Sequence, residues 1–287
     1  MRVARIRAGG SESYGIVSGE GIATMGEIRS RTGIPVPPSV TEFLFGGWAE
    51  EVAAHAGELE HALGLSECEP LPPIPSPPKI LCAAFNYGSH ARGRDTASSP
   101  ARPVIVMKPA TALAGARSEI ACPSFVRELD YETELAVVIG RRTRSVSREG
   151  AASSIFGYMV MNDVSARDIQ FGDGQFTRAK GFDTFAPCGP WITTREEAGE
   201  PARMRITTRV NGEARQDALA GEMTLSPEAL VSELSRSMTL EAGDIISTGT
   251  PGGTVLDIGG AYLRDGDVIE SSVSGLGTLR NRVRFTG

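Results

Sequence analysis

The chain has 287 residues, 40% of them hydrophobic and 22% charged, a balance typical of a globular protein that buries a substantial core. Its net charge of -6 at pH 7 argues against a nucleic-acid partner and against an anionic membrane surface, although a local basic pocket for a small acidic molecule is compatible with it. No run reaches the roughly 18 apolar residues that a membrane-spanning helix needs, and the first residues lack the apolar segment of a targeting signal.

Residues 1–70 are predicted to form a small N-terminal α/β domain. Segments 1–6 and 13–17 have strand character and are separated by glycine turns, and 39–63 has apolar side chains at helical spacing. Gly46-Gly47 is the weak point of that helix, because glycine costs roughly 1 kcal/mol there relative to alanine. Residues 71–78 are predicted to be an extended Pro-rich linker, because prolines are dense from residue 69 onwards.

The main domain, 79–287, is predicted to be α+β and mainly β. Short apolar or alternating runs predict strands at 80–85, 103–109, 129–140, 157–163, 204–211, 267–273 and 278–285. The pair Asn211-Gly212 predicts a hairpin turn, and Ser226 followed by Pro227 predicts the start of a helix over 226–236. A polar lid over 88–102 and an ordered aromatic loop over 181–192 are predicted to lack regular structure.

Four cysteines are scattered along the chain without the C-x-x-C spacing of zinc or redox motifs. We therefore expect reduced thiols in a cytoplasmic protein and no disulfide framework. No candidate base lies near any of them in the sequence, which argues against a catalytic cysteine. The four are Cys68, Cys82, Cys122 and Cys188.

Two glutamates open the most apolar of the predicted strands. Glu132 and Glu134 lie two residues apart, so in a strand both side chains point to the same face. Two buried carboxylates repel each other unless a cation lies between them. Asp163, at the end of segment 157–163, offers a third carboxylate, and an all-oxygen set favours Mg²⁺, Mn²⁺ or Ca²⁺ over zinc. The alternative is that both glutamates are ordinary solvated residues, because the E-x-E pattern is weakly specific.

Five motifs together resemble the fumarylacetoacetate hydrolase family and follow the family's order over about 79–283. They are FNYGSHA at 85–91, DYETELAVV at 130–138, NDVSARDIQ at 162–170, AKGFDTF at 179–185 and TGTPGG at 248–253. Each motif alone is a weak signal, but five in the family's order are a specific one.

The resemblance implies a mixed β-sandwich roll catalytic domain behind a small N-terminal domain, in a homodimer. It implies that Glu132, Glu134 and Asp163 bind a divalent ion, Mg²⁺ or Mn²⁺ with Ca²⁺ as a further candidate, in agreement with the spacing argument. In the family the ion chelates a 2-oxo acid through its carboxylate and keto oxygens and polarises it towards the enolate. A small 2-oxo acid is therefore the expected partner, with no nucleic acid and no membrane.

Four further residues match family positions near the metal and the substrate. Lys180 matches the active-site lysine and is expected to anchor an oxyanion or stabilise an enolate, the alternative being a surface lysine. Arg167 and Gln170 match positions beside the metal and the substrate, although Arg167 could equally be a structural partner of Asp168. Thr250 lies in a Gly/Pro turn that the family uses to contact a substrate carboxylate, and it can also serve the shape of that turn.

The chain departs from the family at Gly93. The family pattern is His, two residues and then Glu, a dyad on the lid that activates water. Here His90 is present as the expected general base, but glycine replaces the glutamate. A histidine without its carboxylate loses orientation and basicity. Asp95, two residues further on, is a candidate substitute.

The leading functional expectation is hydrolysis of a C–C bond in an acylpyruvate-type substrate. Decarboxylation, keto–enol isomerisation or dehydration of a related 2-oxo acid would need the same ion and Lys180 but less from His90. A third alternative is a family member that binds a ligand without catalysis. Gly93 favours that alternative, whereas the three carboxylates argue against it, because buried charges are costly to retain without a role.

Overall fold

The computed structural model describes residues 1–59, 61, 63–91 and 103–287, which form a mixed fold built mainly from strands, as predicted. The elements up to residue 71 are β1 (Arg2–Ala8), β2 (Ser11–Ser18), β3 (Gly21–Thr24), α1 (Met25–Thr32), α2 (Val40–Phe45), α3 (Trp48–Ala53), β4 (Leu63–Gly64) and β5 (Glu69–Leu71).

The elements between residues 80 and 180 carry the predicted site residues up to Lys180. They are β6 (Ile80–Ala84), α4 (Gly88–Ala91), β7 (Val104–Lys108), β8 (Leu113–Ala114), β9 (Ile120–Pro123), β10 (Leu129–Asp130), β11 (Thr133–Ile139), α5 (Arg148–Ala151), β12 (Ile155–Asn162), β13 (Ser165–Ala166), α6 (Arg167–Asp173) and α7 (Thr177–Lys180).

The C-terminal third completes the two main sheets. Its elements are β14 (Ala186–Thr194), α8 (Arg195–Ala198), β15 (Arg205–Val210), β16 (Glu213–Leu219), α9 (Pro227–Ser237), β17 (Ile245–Ser247), α10 (Val255–Ile258), β18 (Val268–Val273) and β19 (Gly277–Thr286).

One sheet runs in the order β4-β3-β2-β1-β14-β12-β11-β17-β6-β7, and a second runs β16-β15-β18-β19-β9. The N-terminal strands continue the first sheet, because Arg2 and Val3 of β1 pair with Thr193 and Ile192 of β14. The division into domains 1–70 and 79–287 with a linker at 71–78 stays a prediction.

The two sheets share a core that buries β11 over its whole length. Leu135 and Val137 of β11 belong to the same hydrophobic cluster as Ile206 of β15, Val273 of β18 and Leu279 of β19. All seven residues of β11 are buried. A strand clamped in this way gives the glutamates at its start a rigid support.

Two local predictions were wrong. The helix over 39–63 breaks into α2 and α3 at Gly46-Gly47, where Gly47 has φ +88° and leaves the helical region. Leu71, the first residue of the predicted linker, ends β5, which pairs with β1 and is itself extended backbone. The predicted loop over 181–192 contains the start of β14. Pro190 of β14 lies at the irregularity in the β12–β14 pairing, where its missing N–H breaks no ladder bond.

The predicted helix start at Ser226 and the predicted hairpin turn at Asn211-Gly212 are confirmed. The Ser226 hydroxyl accepts a hydrogen bond from the Ala229 N–H at the start of α9, and Leu230 is buried. Asn211 and Gly212 have φ of 52° and 84°, and two positive φ values are what a tight hairpin turn needs. The cysteines are unpaired and buried.

The predicted lid can be followed only at its start. Residues 88–91 form α4, whereas 92–102 lie outside the described residues, together with Gly93 and Asp95. In the part of the chain that the structure describes, no helix is long and apolar enough to cross a membrane.

Candidate metal centre and active site

Strand register brings three carboxylates together. Thr133 of β11 pairs with Asn162 of β12, so Glu132 and Asp163 face each other just beyond that pair, and the Asp163 N–H donates to the Glu132 carbonyl at 2.8 Å. Glu134 follows two residues after Glu132. One oxygen from each carboxylate lies within 4.8 Å of the others, and all three residues are buried.

This spacing fits a single divalent ion. Ligand oxygens on opposite sides of an ion are separated by twice the metal–oxygen distance, about 4.0 to 5.2 Å for the range from Mg²⁺ to Ca²⁺. The donor set is all oxygen, which suits these ions better than zinc. The alternative of solvated glutamates is wrong, because Glu132 and Glu134 are 4% and 2% exposed. That the three carboxylates bind the ion stays a prediction.

The carboxylate of Glu134 is strongly destabilised by burial and by its like-charged neighbours. Its Oε2 accepts hydrogen bonds from the Ser247 hydroxyl at 2.6 Å and from the Gly249 N–H at 2.8 Å. Burial, followed by the nearby charges of Asp163 and Glu132, raises the pKa of Glu134 to about 8. A cation between the carboxylates would offset the repulsion and stabilise the ionised form of Glu134.

Lys180 lies inside the carboxylate cluster, so the surface alternative is wrong. Its Nζ donates to Glu132 Oε2 at 2.5 Å, to Asp163 Oδ2 at 2.6 Å and to the Ser165 hydroxyl at 2.9 Å. Burial lowers the pKa of Lys180, but Asp163 and Glu132 outweigh burial and hold the pKa above its ordinary value. The ammonium group therefore stays protonated.

Arg167 braces the same cluster from α6. Its guanidinium donates to Asp130 Oδ2 at 2.9 Å, to Glu132 Oε1 at 2.6 Å and to Gln170 Oε1 at 3.0 Å. A pairing with Asp168 is wrong, because Asp168 accepts a backbone N–H elsewhere. Arg167 and Gln170 thus position Glu132, and their contact with a substrate stays a prediction.

Thr250 serves the turn in which it lies. Its hydroxyl donates to the Thr133 carbonyl at 2.9 Å and accepts from Gln216 Nε2 at 2.8 Å. These bonds join the turn to the start of β11, where Glu134 is held. Thr250 also lines the cavity beside the carboxylates, so a substrate contact stays a prediction.

His90 has a carboxylate partner that the sequence did not reveal. Its Nδ1 lies 2.8 Å from Asp257 Oδ2, and its Nε2 lies 3.5 Å from Glu132 Oε1. The expectation that Gly93 leaves His90 without an orienting carboxylate is therefore wrong. Burial lowers the pKa of His90, but the hydrogen bonds to Asp257 and Glu132 outweigh it, so the pKa is raised.

Asp257 is itself held firmly on α10. Its Oδ2 accepts hydrogen bonds from the Thr254 hydroxyl at 2.9 Å and from the Gly253 N–H at 3.1 Å. The pattern Thr254-x-x-Asp257 is a recognisable helix start just after the TGTPGG motif. This pattern marks the start of a helix, but nothing in it points to a contact with a histidine 167 positions away.

Lys108 is a second buried lysine that sequence reasoning missed. Its Nζ donates to Asp163 Oδ1 at 2.5 Å and to the carbonyls of Phe185 and Val164 at 2.6 and 3.2 Å. The available signal was composition, because lysine is rare in this chain and Lys108 ends an apolar strand. Lys108 fixes one oxygen of Asp163, while Lys180 holds the other.

The family model for the fumarylacetoacetate (FAA) hydrolase C-terminal domain matches residues 79–284. The chain belongs to the fumarylacetoacetate hydrolase family. It is similar to the oxaloacetate tautomerase YisK of Bacillus subtilis, with 39% identity over 240 residues that cover 82% of this chain and 79% of the relative.

Solved structures agree with this membership of the fumarylacetoacetate hydrolase family. One is a 5-carboxymethyl-2-hydroxymuconate delta-isomerase from Mycobacterium smegmatis, with 33% identity and a TM-score of 0.78. Another is a maleylpyruvate hydrolase from Sphingobium sp. SYK-6 in complex with manganese(II) ion and pyruvate, with 31% identity and a TM-score of 0.81. Both alignments cover 100% of each chain. The three relatives share a fold but are named for different reactions.

In this member of the fumarylacetoacetate hydrolase family, one cavity joins the carboxylates to an apolar wall. Its polar lining includes His90, Glu132, Glu134, Asp163, Arg167, Gln170, Lys180 and Thr250. Its apolar lining includes Cys82, Ala83, Ala84, Phe85, Val106 and Phe176. Burial raises the pKa of the Cys82 thiol well above its ordinary value, so this thiol lines the cavity in its protonated form.

Proposed function

We propose that the protein is a divalent-metal-dependent enzyme that interconverts the keto and enol forms of a small 2-oxo acid. The observation that carries this proposal is His90, paired with Asp257, lying beside a buried carboxylate cluster whose spacing fits one ion. The ion, when bound by Glu132, Glu134 and Asp163, would supply Lewis-acid polarisation of the substrate carbonyl.

The residues around the cluster provide the remaining chemistry. Asp257 accepts the Nδ1–H of His90, which leaves Nε2 to take a proton from the carbon next to the carbonyl and to return it. Lys180 donates its three N–H groups to Glu132, Asp163 and Ser165, so its positive charge, and not a hydrogen bond, stabilises the negative charge that develops on the enolate oxygen. Tautomerisation moves one proton from carbon to oxygen. It therefore requires one base to carry the proton and one cationic group to stabilise the enolate.

Hydrolysis of a C–C bond is the second candidate. The pair His90–Asp257 can also deprotonate a water molecule, and one structural relative is named a maleylpyruvate hydrolase. Tautomerisation is preferred because hydrolysis requires, in addition, a positioned water and protonation of a carbon leaving group. A relative named as an oxaloacetate tautomerase also supports tautomerisation over hydrolysis.

Proton NMR in D₂O with added Mg²⁺ separates the two reactions. Oxaloacetate and an acylpyruvate are offered in parallel, and spontaneous exchange without enzyme is subtracted. A tautomerase exchanges the hydrogens next to the keto group and speeds decay of the enol signal while the carbon skeleton stays intact, whereas a hydrolase releases pyruvate from the acylpyruvate. EDTA and Glu134→Gln should return both signals to background. No acceleration with Mg²⁺ or Mn²⁺ would exclude the proposed function.

The homodimer, the cytoplasmic location and the choice between Mg²⁺ and Mn²⁺ stay predictions.

A further inference from the structure

The cavity has an aromatic wall that the proton transfer does not use. Phe85 follows β6 and Phe176 precedes α7, and their rings meet edge to face with centroids 6.4 Å apart. Both side chains are half-buried, whereas the carboxylates are buried. Val106 and Ala84 extend the same apolar lining.

The backbone at Phe85 directs one of these rings. Phe85 has φ +60°, a left-handed conformation that is uncommon for a bulky residue and persists only where the surroundings enforce it. Its neighbour Asn86 supplies that constraint, because the Asn86 amide donates to the Leu225 and Thr248 carbonyls at 2.9 and 2.7 Å and accepts from the Leu225 N–H at 2.8 Å. The position of the ring is thus built into the fold.

The cationic side chains that the described part of the chain places in the cavity are already paired with carboxylates of the protein. Among the described residues, Arg167 and Lys180 are the lysine or arginine side chains that line it. Arg167 is bound to Asp130 and Glu132, and Lys180 is bound to Glu132 and Asp163. A carboxylate against the aromatic wall would lose hydration without gaining an ion pair from any of the described residues, whereas an apolar group there gains free energy from burial.

We infer that Phe85 and Phe176 form the binding site for the remote end of the substrate, and that this end is apolar. The preferred substrate is then a 2-oxo acid with an alkyl or other apolar substituent beyond the enolising carbon, and a dicarboxylate such as oxaloacetate binds more weakly. This inference rests on the proposed function, because it takes the carboxylate cluster as the place where the 2-oxo acid end binds.

Calorimetric titration of the Mg²⁺-loaded protein with three 2-oxo acids tests the inference. Pyruvate has no tail, 2-oxopentanoate adds two methylenes, and 2-oxoglutarate replaces the terminal methyl of 2-oxopentanoate with a carboxylate. Each buried methylene tightens binding about fourfold, so 2-oxopentanoate, with two more, should bind about fifteenfold more tightly than pyruvate. It should also bind more tightly than 2-oxoglutarate.

Variants then assign the effect to the two rings. Phe85→Ala and Phe176→Ala should reduce the ratio between 2-oxopentanoate and pyruvate affinities to about threefold or less, with little change for pyruvate itself. Phe171→Ala is the matched control, because Phe171 is 57% exposed and lies outside the cavity lining. It should keep the wild-type ratio.

The outcomes separate the two proposals. Failure of all three acids to bind the metal-loaded protein would overturn the proposed function. Binding of pyruvate with no gain for 2-oxopentanoate, or tightest binding of 2-oxoglutarate, would overturn only the apolar tail site. The wild-type ligand series decides this even if an alanine variant fails to fold.

Discussion

Two contacts of one imidazole ring decide which nitrogen of His90 is available for chemistry. Asp257 lies at Nδ1 and Glu132 lies near Nε2. Asp257→Asn keeps an oxygen that can accept from Thr254 and Gly253 but removes the charge. We expect turnover to fall about 100-fold or more with little change in KM, because the histidine loses its preferred tautomer.

The pH profile distinguishes this positioning role of Asp257 from a structural one. The Asp257 hydrogen bond raises the pKa of His90, so its loss should move the acidic limb of the kcat profile to lower pH. Steady-state kinetics of Asp257→Asn across the acidic range measure both effects. Wild-type turnover with an unshifted profile would remove Asp257 from the mechanism.

Lys108 holds one carboxylate oxygen of Asp163, and Lys180 holds the other. Lys108→Met keeps the side-chain length but leaves a buried carboxylate and two carbonyls without their donor. We expect a loss of about 3 to 5 kcal/mol in the free energy of unfolding, typical of breaking a buried ion pair from one side. Urea denaturation in EDTA measures it.

An exposed ion pair provides the control for Lys108→Met. Arg203 and Glu200 lie 2.9 Å apart with side chains 85% and 72% exposed. Arg203→Met should change the free energy of unfolding by less than about 1 kcal/mol, because solvent screens such pairs. Equal losses for the two variants would mean that Lys108 does not stabilise the cluster.

At the scale of elements, β12, which leads into Asp163, approaches β14 closely at Gly157. A Cβ on Gly157 of β12 would lie 2.2 Å from the Thr193 carbonyl oxygen of β14. Gly157→Ala must therefore separate the strands, and we expect a loss of about 1 to 3 kcal/mol or more in a urea titration. Gly172→Ala in α6 meets no atom within 4 Å and should be neutral or stabilising by about 0.5 to 1 kcal/mol. No change in the free energy of unfolding for Gly157→Ala would show that β12 and β14 can separate at little cost.

The elements that the sequence predicted correctly depend on neighbouring residues alone. Ser226 and Pro227 start α9, and Asn211-Gly212 sets a hairpin, because caps and turns are local. Strands β5 and β14 were not predicted, because both contain proline and form only by hydrogen bonding to strands remote in sequence. Pattern reasoning sees the prolines but not the partner strand.

The same distinction separates the site residues. Glu134 lies in β11 with Glu132 directly before that strand, and Asp163 directly follows the neighbouring β12, so their convergence was predictable from period and strand order. The contact between His90 and Asp257 joins α4 to α10, and no spacing rule links these two short helices. Contacts of this kind appear only once the fold is known.

Across the whole molecule, the negative charges of the buried carboxylate cluster are balanced by buried cationic side chains and not by solvent. The strand that carries Glu134 lies in the core shared by the two sheets, and Arg167, Lys180 and Lys108 approach the cluster from other elements. The free energy of unfolding is thus coupled to the charge at the centre, and a bound cation acts on the stability of the entire chain.

Stability should therefore depend on pH through Glu134. The pKa of Glu134 is about 8 in the folded protein without a cation and lies near its ordinary value of 4.5 in the unfolded chain. Between these values the folded state holds a proton that the unfolded state has released. The free energy of unfolding in EDTA should therefore be highest below about pH 4.5 as far as Glu134 contributes, and should fall until about pH 8.

An ion competes with that proton, so the increase in Tm caused by Mg²⁺ or Mn²⁺ should grow as pH rises towards 8. Glu134→Gln, which is neutral at every pH, should remove both the decline in EDTA and the stabilisation by the ion. Thermal unfolding of wild type and Glu134→Gln, each with EDTA and with ion, isolates the contribution of this carboxyl from other titrating groups. A wild-type decline no steeper than that of Glu134→Gln would show that Glu134 is ionised without a cation, and the metal site would then lose its electrostatic rationale.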